Sequence, residues 1–182
     1  MDKIGINTIQ GCLATSRAAY LLYQQTGILG CNSVSAYLIQ QTAEKLIKVQ
    51  IPEREAIKLS DKEYQRFKTH NLKLLVKLFH KYKWPLIESH YFNRMDAQVT
   101  SWNTKGRYQE DFWVDGKILD DCHIELVYWF DHVKRFHHLP APKTEIKGKV
   151  IENMNTFKEY MNVDTVLLES IYSNLVEESR GV

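Results

Sequence analysis

Glycine and proline are scarce in this chain, 8 and 4 among 182 residues. A β-sandwich stitched together by many tight turns needs more of both, so that class is disfavoured. Cysteine is scarcer still: Cys12, Cys31 and Cys122 are odd in number and widely spaced. That pattern fits neither a disulfide framework nor a zinc motif, and it points to a reducing, cytoplasmic setting. No run of about 18 apolar residues occurs, so no membrane-spanning helix is expected. The stretch MDKIGINTIQ lacks the apolar core of a secretory signal. Neither charge sign dominates, with 24 basic against 22 acidic residues and a net charge of +2, so the chain as a whole is no polycation. A glycine-rich phosphate loop is missing, and so is any internal repeat. What remains is the ordinary globular mix, 44% hydrophobic and 25% charged, at a length that suits one domain with a small appendage.

Apolar residues recur at helical spacing nearly throughout. Ile9, Leu13, Tyr20 and their neighbours predict a helix over about 7–26, with Gly27 and Gly30 bracketing its exit. Asn32 or Ser33 is the expected cap of a second helix, whose inner face holds Ala36, Ile39, Ala43, Leu46 and Ile47 and which ends near Pro52. Ser60 and Glu63 have the spacing of a capping box, so a third helix is expected from there toward Lys83. Pro85 suits the first turn of a helix that runs to about Trp102. The stretch 103–117 reads as a loop, long enough to be functional. A further helix is expected over about 118–138, with Cys122, Leu126, Trp129, Phe130 and Val133 inward. Leu139-Pro140-Ala141-Pro142 forms a linker, followed by weaker helical patterns at 143–161 and from Asp164. The expected fold is all-α: an up-and-down helical bundle of about five helices over residues 1–140, with a C-terminal helical extension over 141–182 carrying one or two more.

The balanced net charge hides an uneven distribution. Residues 43–83 hold eleven Lys or Arg and five Asp or Glu, a local +6, whereas the remainder is −4. On one continuous helix over 60–83, Arg66, His70, Lys73, Lys77 and Lys81 share a side. Such a stripe attracts phosphates through charge and counterion release, and it serves equally well as a solvated face.

Three short pieces, in order, carry a family resemblance. Residues 37–48, Tyr37-Leu38-Ile39-Gln40-Gln41-Thr42-Ala43-Glu44-Lys45-Leu46-Ile47-Lys48, resemble the signature helix of HEPN domains. Thr69-His70-Asn71-Leu72 resembles that family's Thr-His-Asp-Leu helix start, and Gly106-Arg107-Tyr108 its Ala-Arg-Tyr-Pro turn. The match covers about residues 8–138. It implies a five-helix bundle, commonly paired as a homodimer. It also implies one of three roles: a partner of a small nucleotidyltransferase in a toxin–antitoxin pair, a metal-independent ribonuclease, or a binding module without catalysis. The ribonuclease members carry Arg, four to six residues, then His. Here Arg66 and His70 are separated by three, Lys117 to His123 begins with lysine, and Gln109 and Asn71 replace the family's proline and aspartate.

These readings set the candidates. Glu44, Lys45, Lys48, His70, Lys73, Lys77, Arg107 and Tyr108 line or support a site for a nucleotide, RNA or a nucleotidyltransferase partner. Arg107 either clamps a phosphate or ties the loop to a helix carboxylate such as Glu44. Should catalysis occur, His70 is the acid–base candidate and Arg66 its electrostatic companion. Cys31 lies near a helix start, a place that can depress a thiol pKa, but no histidine partner is near in sequence. No metal site and no cofactor is expected; Asp121, Glu125 and His132 are spaced as an exposed face would be. A purely structural homodimer is the remaining alternative.

Overall fold

The computed structural model describes residues 6–109 and 112–137. Among them are seven α-helices and no strand: α1 (Ile6–Thr26), α2 (Leu29–Lys48), α3 (Glu53–Ala56), α4 (Asp61–Gln65), α5 (Leu72–Tyr82), α6 (His90–Tyr108) and α7 (Gly116–Phe136), with a 3-10 turn at Arg66–Lys68. The all-α bundle expected from the apolar spacing is therefore what the chain forms. Among the described residues no helix is long and apolar enough to cross a membrane. The linker after Leu139 and the C-terminal extension lie outside the described residues.

The five long helices supply the core. Gly27, at φ 70°, lets the chain leave α1 and re-enter α2 after two residues. α1 and α7 run antiparallel, since Ser16 meets His123 while Tyr20 reaches Gly116. α6 is antiparallel to α2, with Gln41 bonded to Asn103 and Tyr37 against Gly106. The space between is filled by fully buried Ile39, Leu46, Leu75, Phe79, Val99, Trp102, Leu119 and Leu126. Truncating one of these leucines to alanine removes contacts on all sides and costs roughly 2–5 kcal/mol.

Several boundaries differ from expectation. α2 begins at Leu29, without a side-chain cap at Ile28, so Asn32 and Ser33 are buried inside the helix. Their polar groups are used at long range instead. The Asn32 amide donates to Val114 O (2.9 Å) and accepts from Val114 N (2.8 Å), while Ser33 Oγ donates to Phe112 O (2.6 Å). The single helix expected over 60–83 is interrupted. The Ser60–Glu63 capping box forms, but α4 ends after one turn, and Asn71 caps α5 by accepting from Leu74 N. Phe67 drives the break: its ring packs on Trp84 at 5.3 Å and edge-on to Phe79, which pulls the 3-10 turn onto the core.

Pro85 does not open a helix. α5 closes at Lys83 in the left-handed conformation (φ 54°), Trp84 N donates back to Phe79 O, and α6 waits for Ser89, whose hydroxyl accepts from Phe92 N. The extended link between them is held by buried Gln50. Its amide donates to Ile87 O (3.1 Å) and accepts from Ile87 N (2.8 Å). Asn32 and Gln50 thus do the same job, pairing both backbone groups of a linker residue that has no strand partner.

Candidate nucleic-acid interface

The site grows from α2. Residues 37, 41 and 45 are four apart and share one side of the helix, next to buried Gln40 and Glu44. Glu44 is the centre. Its carboxylate accepts from Lys48 Nζ (2.6 Å), Gln40 Nε2 (3.2 Å) and the His70 ring through Nδ1 (2.9 Å). Burial alone would raise the carboxyl pKa; the hydrogen bonds from Lys48, His70 and Gln40, with the charge of Lys48, outweigh it and hold Glu44 below its ordinary value. Gln40 also donates to His70 O (3.0 Å), so the non-helical link at Thr69–Asn71 is fastened to α2 by both its backbone and its imidazole.

That geometry fixes the histidine. With a carboxylate facing Nδ1, the proton of the neutral ring belongs there, and Nε2 offers a lone pair away from Glu44. The His70 side chain is 53% exposed, and among the described residues Nε2 has no hydrogen-bond partner. His70 was expected to line the site, with Arg66 as its companion should catalysis occur. Its ring partner is Glu44, 26 residues earlier. Arg66 is exposed on the 3-10 turn.

The polar line continues along the α2–α6 seam. Lys45 Nζ donates to Gln41 Oε1 (3.1 Å), and Gln41 Nε2 donates to Asn103 Oδ1 (3.2 Å). Arg107 then lies over the Tyr37 ring at 5.6 Å and the Tyr108 ring at 5.1 Å. Contrary to the loop reading, Arg107 and Tyr108 form the last turn of α6. The expected tie between Arg107 and Glu44 is absent: Glu44 is occupied by Lys48 and His70, and among the described residues Arg107 meets no carboxylate. Gly106 is what brings the two helices together. A Cβ there would sit 2.7 Å from Ser33 O and 2.9 Å from Tyr37 Cβ, so only glycine lets the last turn of α6 rest on α2.

Lys73, Lys77 and Lys81 do share a side of α5, but the helix break removes Arg66 and His70 from that stripe. Lys73 is 3.7 Å from Asp96, Lys81 lies over the Tyr82 ring at 4.9 Å, and Lys77 is exposed with no ion pair among the described residues. The structure therefore gathers Glu44, Lys45, Lys48 and His70 into one network and places Arg107 and Tyr108 further along the same seam. Tyr37, Gln41 and Asn103 also belong to it and were not among the expected residues, although the four-residue spacing of 37, 41 and 45 was readable.

A second polar cluster was not expected at all. Ser16, Ser35 and His123 are buried where α1, α2 and α7 meet. Ser16 Oγ donates to Ser35 O (2.9 Å) and lies 2.8 Å from His123 Nε2. Since the serine proton is used on Ser35, the ring donates from Nε2, and His123 is no base toward Ser16. Burial, reinforced by the nearby Arg17 charge, pushes the His123 pKa down to about 3. At the rim, Arg17 is paired with Asp120, which also accepts from Tyr20 (3.0 Å). The cluster is sealed and serves packing. The thiols are equally inert: burial raises Cys31 to about 11 and Cys122 to about 12, which overturns the low-pKa reading of Cys31. No group of residues suited to a metal ion occurs among the described residues. Glu125 is engaged by Ser89, whose hydroxyl donates to it at 2.5 Å.

Fold and site together define an all-α bundle with a polar, cation-bearing seam between two antiparallel helices. Comparison with protein-family models, curated proteins and solved structures gives no match.

Proposed function

We propose that this chain is a HEPN-like binding module that holds a phosphate-bearing ligand, a nucleotide or RNA, along the α2–α6 seam. The observation that carries the reading is Arg107, set between Tyr37 and Tyr108 with no carboxylate to neutralise it among the described residues. A guanidinium in that state, on the same seam as Lys45 and His70, suits a phosphate. The resemblance extends the proposal to a small nucleotidyltransferase as protein partner within a toxin–antitoxin pair. The direct test is fluorescence anisotropy with a labelled RNA at low and physiological salt. Combined Lys45→Glu and Arg107→Glu should abolish binding, and Lys134→Glu on α7 should leave it unchanged. No binding by the intact chain at low salt refutes the proposal.

A second reading rests on the Glu44–His70 contact. An imidazole held through Nδ1 with Nε2 open is the form a general base takes. It supports a metal-independent ribonuclease in which His70 moves the proton and Arg66 faces the phosphate. Cleavage of RNA in chelator, lost in His70→Ala, is the required result. A homodimer is favoured by exposed Ile124, Tyr128 and Phe136, which fall on one side of α7. Sedimentation of the full chain against Tyr128→Glu tests it.

A further inference from the structure

The two ends of the seam differ in chemistry. At one end three flat groups come together: the Arg107 guanidinium lies over the rings of both Tyr37 and Tyr108. Tyr108 is 72% exposed, an unusual state for so large a side chain on a rigid helix. Its backbone is fixed because Gly106, two residues earlier, is seated directly on Ser33 and Tyr37. The neighbouring segment is fixed as well: Ser33 holds Phe112, and Trp113 Nε1 donates to Tyr23 Oη (2.7 Å) while its side chain stays half exposed. The aromatic end is thus a built surface on α2 and α6, with the segment before α7 fastened beside it through Ser33. At the other end are Lys45 and the open nitrogen of His70.

Tyr37 and Lys45 are eight residues apart on α2, which at 1.5 Å per residue separates the ends by about 12 Å. A nucleoside monophosphate engages one end or the other. A chain of nucleotides engages both, with a base on the aromatic end and backbone phosphates running from Arg107 toward Lys45. In a duplex the base faces are already stacked and are closed to a tyrosine ring; in a single strand they are open.

We infer that the ligand of the seam is a single-stranded oligonucleotide of two or more nucleotides, with one base stacked on Tyr108. This rests on the phosphate-binding reading above and narrows it. The test uses the full chain in low salt with a fluorescein-labelled RNA hexanucleotide, a duplex containing the same sequence, and ATP and UMP as competitors. The single strand should bind at least tenfold more tightly than the duplex. Tyr108→Ala should weaken the single strand by about five- to a hundredfold, Tyr108→Phe should retain it, and duplex binding should be unaffected by either, since base stacking on an aromatic ring contributes on that scale. Because Tyr108 is exposed, thermal melting of both variants should match the parent. Equal binding of single strand and duplex, no effect of Tyr108→Ala, or competition by ATP as effective as unlabelled hexanucleotide overturns this inference and leaves phosphate binding standing. Failure of every probe to bind overturns both.

Discussion

Acid should unfold this bundle through one buried histidine. His123 is enclosed by Ser16 and Ser35, stacks at 5.9 Å on Tyr20, and faces the charges of Arg17 and Asp120. Burial and Arg17 both disfavour its protonated form, so the folded pKa of about 3 lies below the ordinary 6.5. The unfolded chain then binds the proton more readily between those values. The stabilisation is complete above the unfolded pKa and declines as pH falls through the window. At 1.36 kcal/mol per unit, lowering the pH from 6.5 to 5 removes about 2 kcal/mol, a figure that holds for any folded pKa well below 5. Other histidines contribute their own slopes, among them His137, which burial also shifts downward. The contrast must therefore be made against His123→Gln, which keeps a donor toward Ser16 and cannot titrate. Urea unfolding at pH 7.5 and pH 5 should show the parent losing about 2 kcal/mol more than the variant over that interval. Imidazole nitrogen spectra should show His123 neutral and protonated on Nε2 at pH 5. Identical pH dependence in parent and variant, or a titration of His123 above pH 5.5, refutes the reasoning.

The remaining predictions concern the backbone clamps and the seam. Gln50→Leu leaves the Ile87 N–H without its partner, while the Ile87 carbonyl keeps the Trp129 indole as donor (2.9 Å), and should cost about 1–3 kcal/mol in urea unfolding, more than the loss of one exposed hydrogen bond. Lys83→Gly relieves a left-handed backbone at the end of α5 and should stabilise by about 0.5–1 kcal/mol, read as a rise in Tm. Gly106→Ala forces a methyl against Ser33 O and should cost about 1–3 kcal/mol while weakening RNA binding, because Arg107 and Tyr108 move with α6. Glu44→Gln removes the charge that faces Lys48 and His70; it should destabilise the fold and broaden the His70 ring signals, with α2 helicity retained by circular dichroism.

The long helices were legible because their apolar residues recur at one period. The expected 7–26 and 118–138 differ from α1 and α7 by no more than two residues at either end. What local pattern could not supply was the use of polar residues at long range. Asn32 and Ser33 are cap-type residues, and nothing within a few positions shows that their partners are Val114 and Phe112. The break at Thr69–Asn71 had a signal in the Asn71 cap, yet the aromatic packing of Phe67 on Trp84, which enforces the break, involves residues 17 apart. Gly106 was read as a loop residue for its missing side chain. That absence matters for a different reason, close approach of two helices, and it turns the supposed loop into the last turn of α6. At the site, the sequence nominated Glu44, Lys48 and His70 as members of one set; only the fold shows that a single buried carboxylate joins the lysine and the histidine.

The Glu44 network is hard to explain as an aid to stability. A buried carboxylate gives up strong hydration, and a nearly apolar α2–α5 contact would hold the helices as well or better. The arrangement instead determines where charge can appear. Lys48 is engaged with Glu44, so the cations left facing outward on this side of α2 are Lys45 and, when protonated, His70. Gln40 and Gln41, both neutral, pass the line of hydrogen bonds on to Asn103 and so to α6. A negative group buried at the root thus orients a histidine at the surface, and the polar amides keep the two helices in register up to Arg107. A ligand that gathers along this seam meets donors and cations fixed before it arrives, so little ordering remains to be done on binding. This gives a physical reason for a fold of this size to keep a charge inside, and it ties the core of α2 to the surface that we propose binds phosphate.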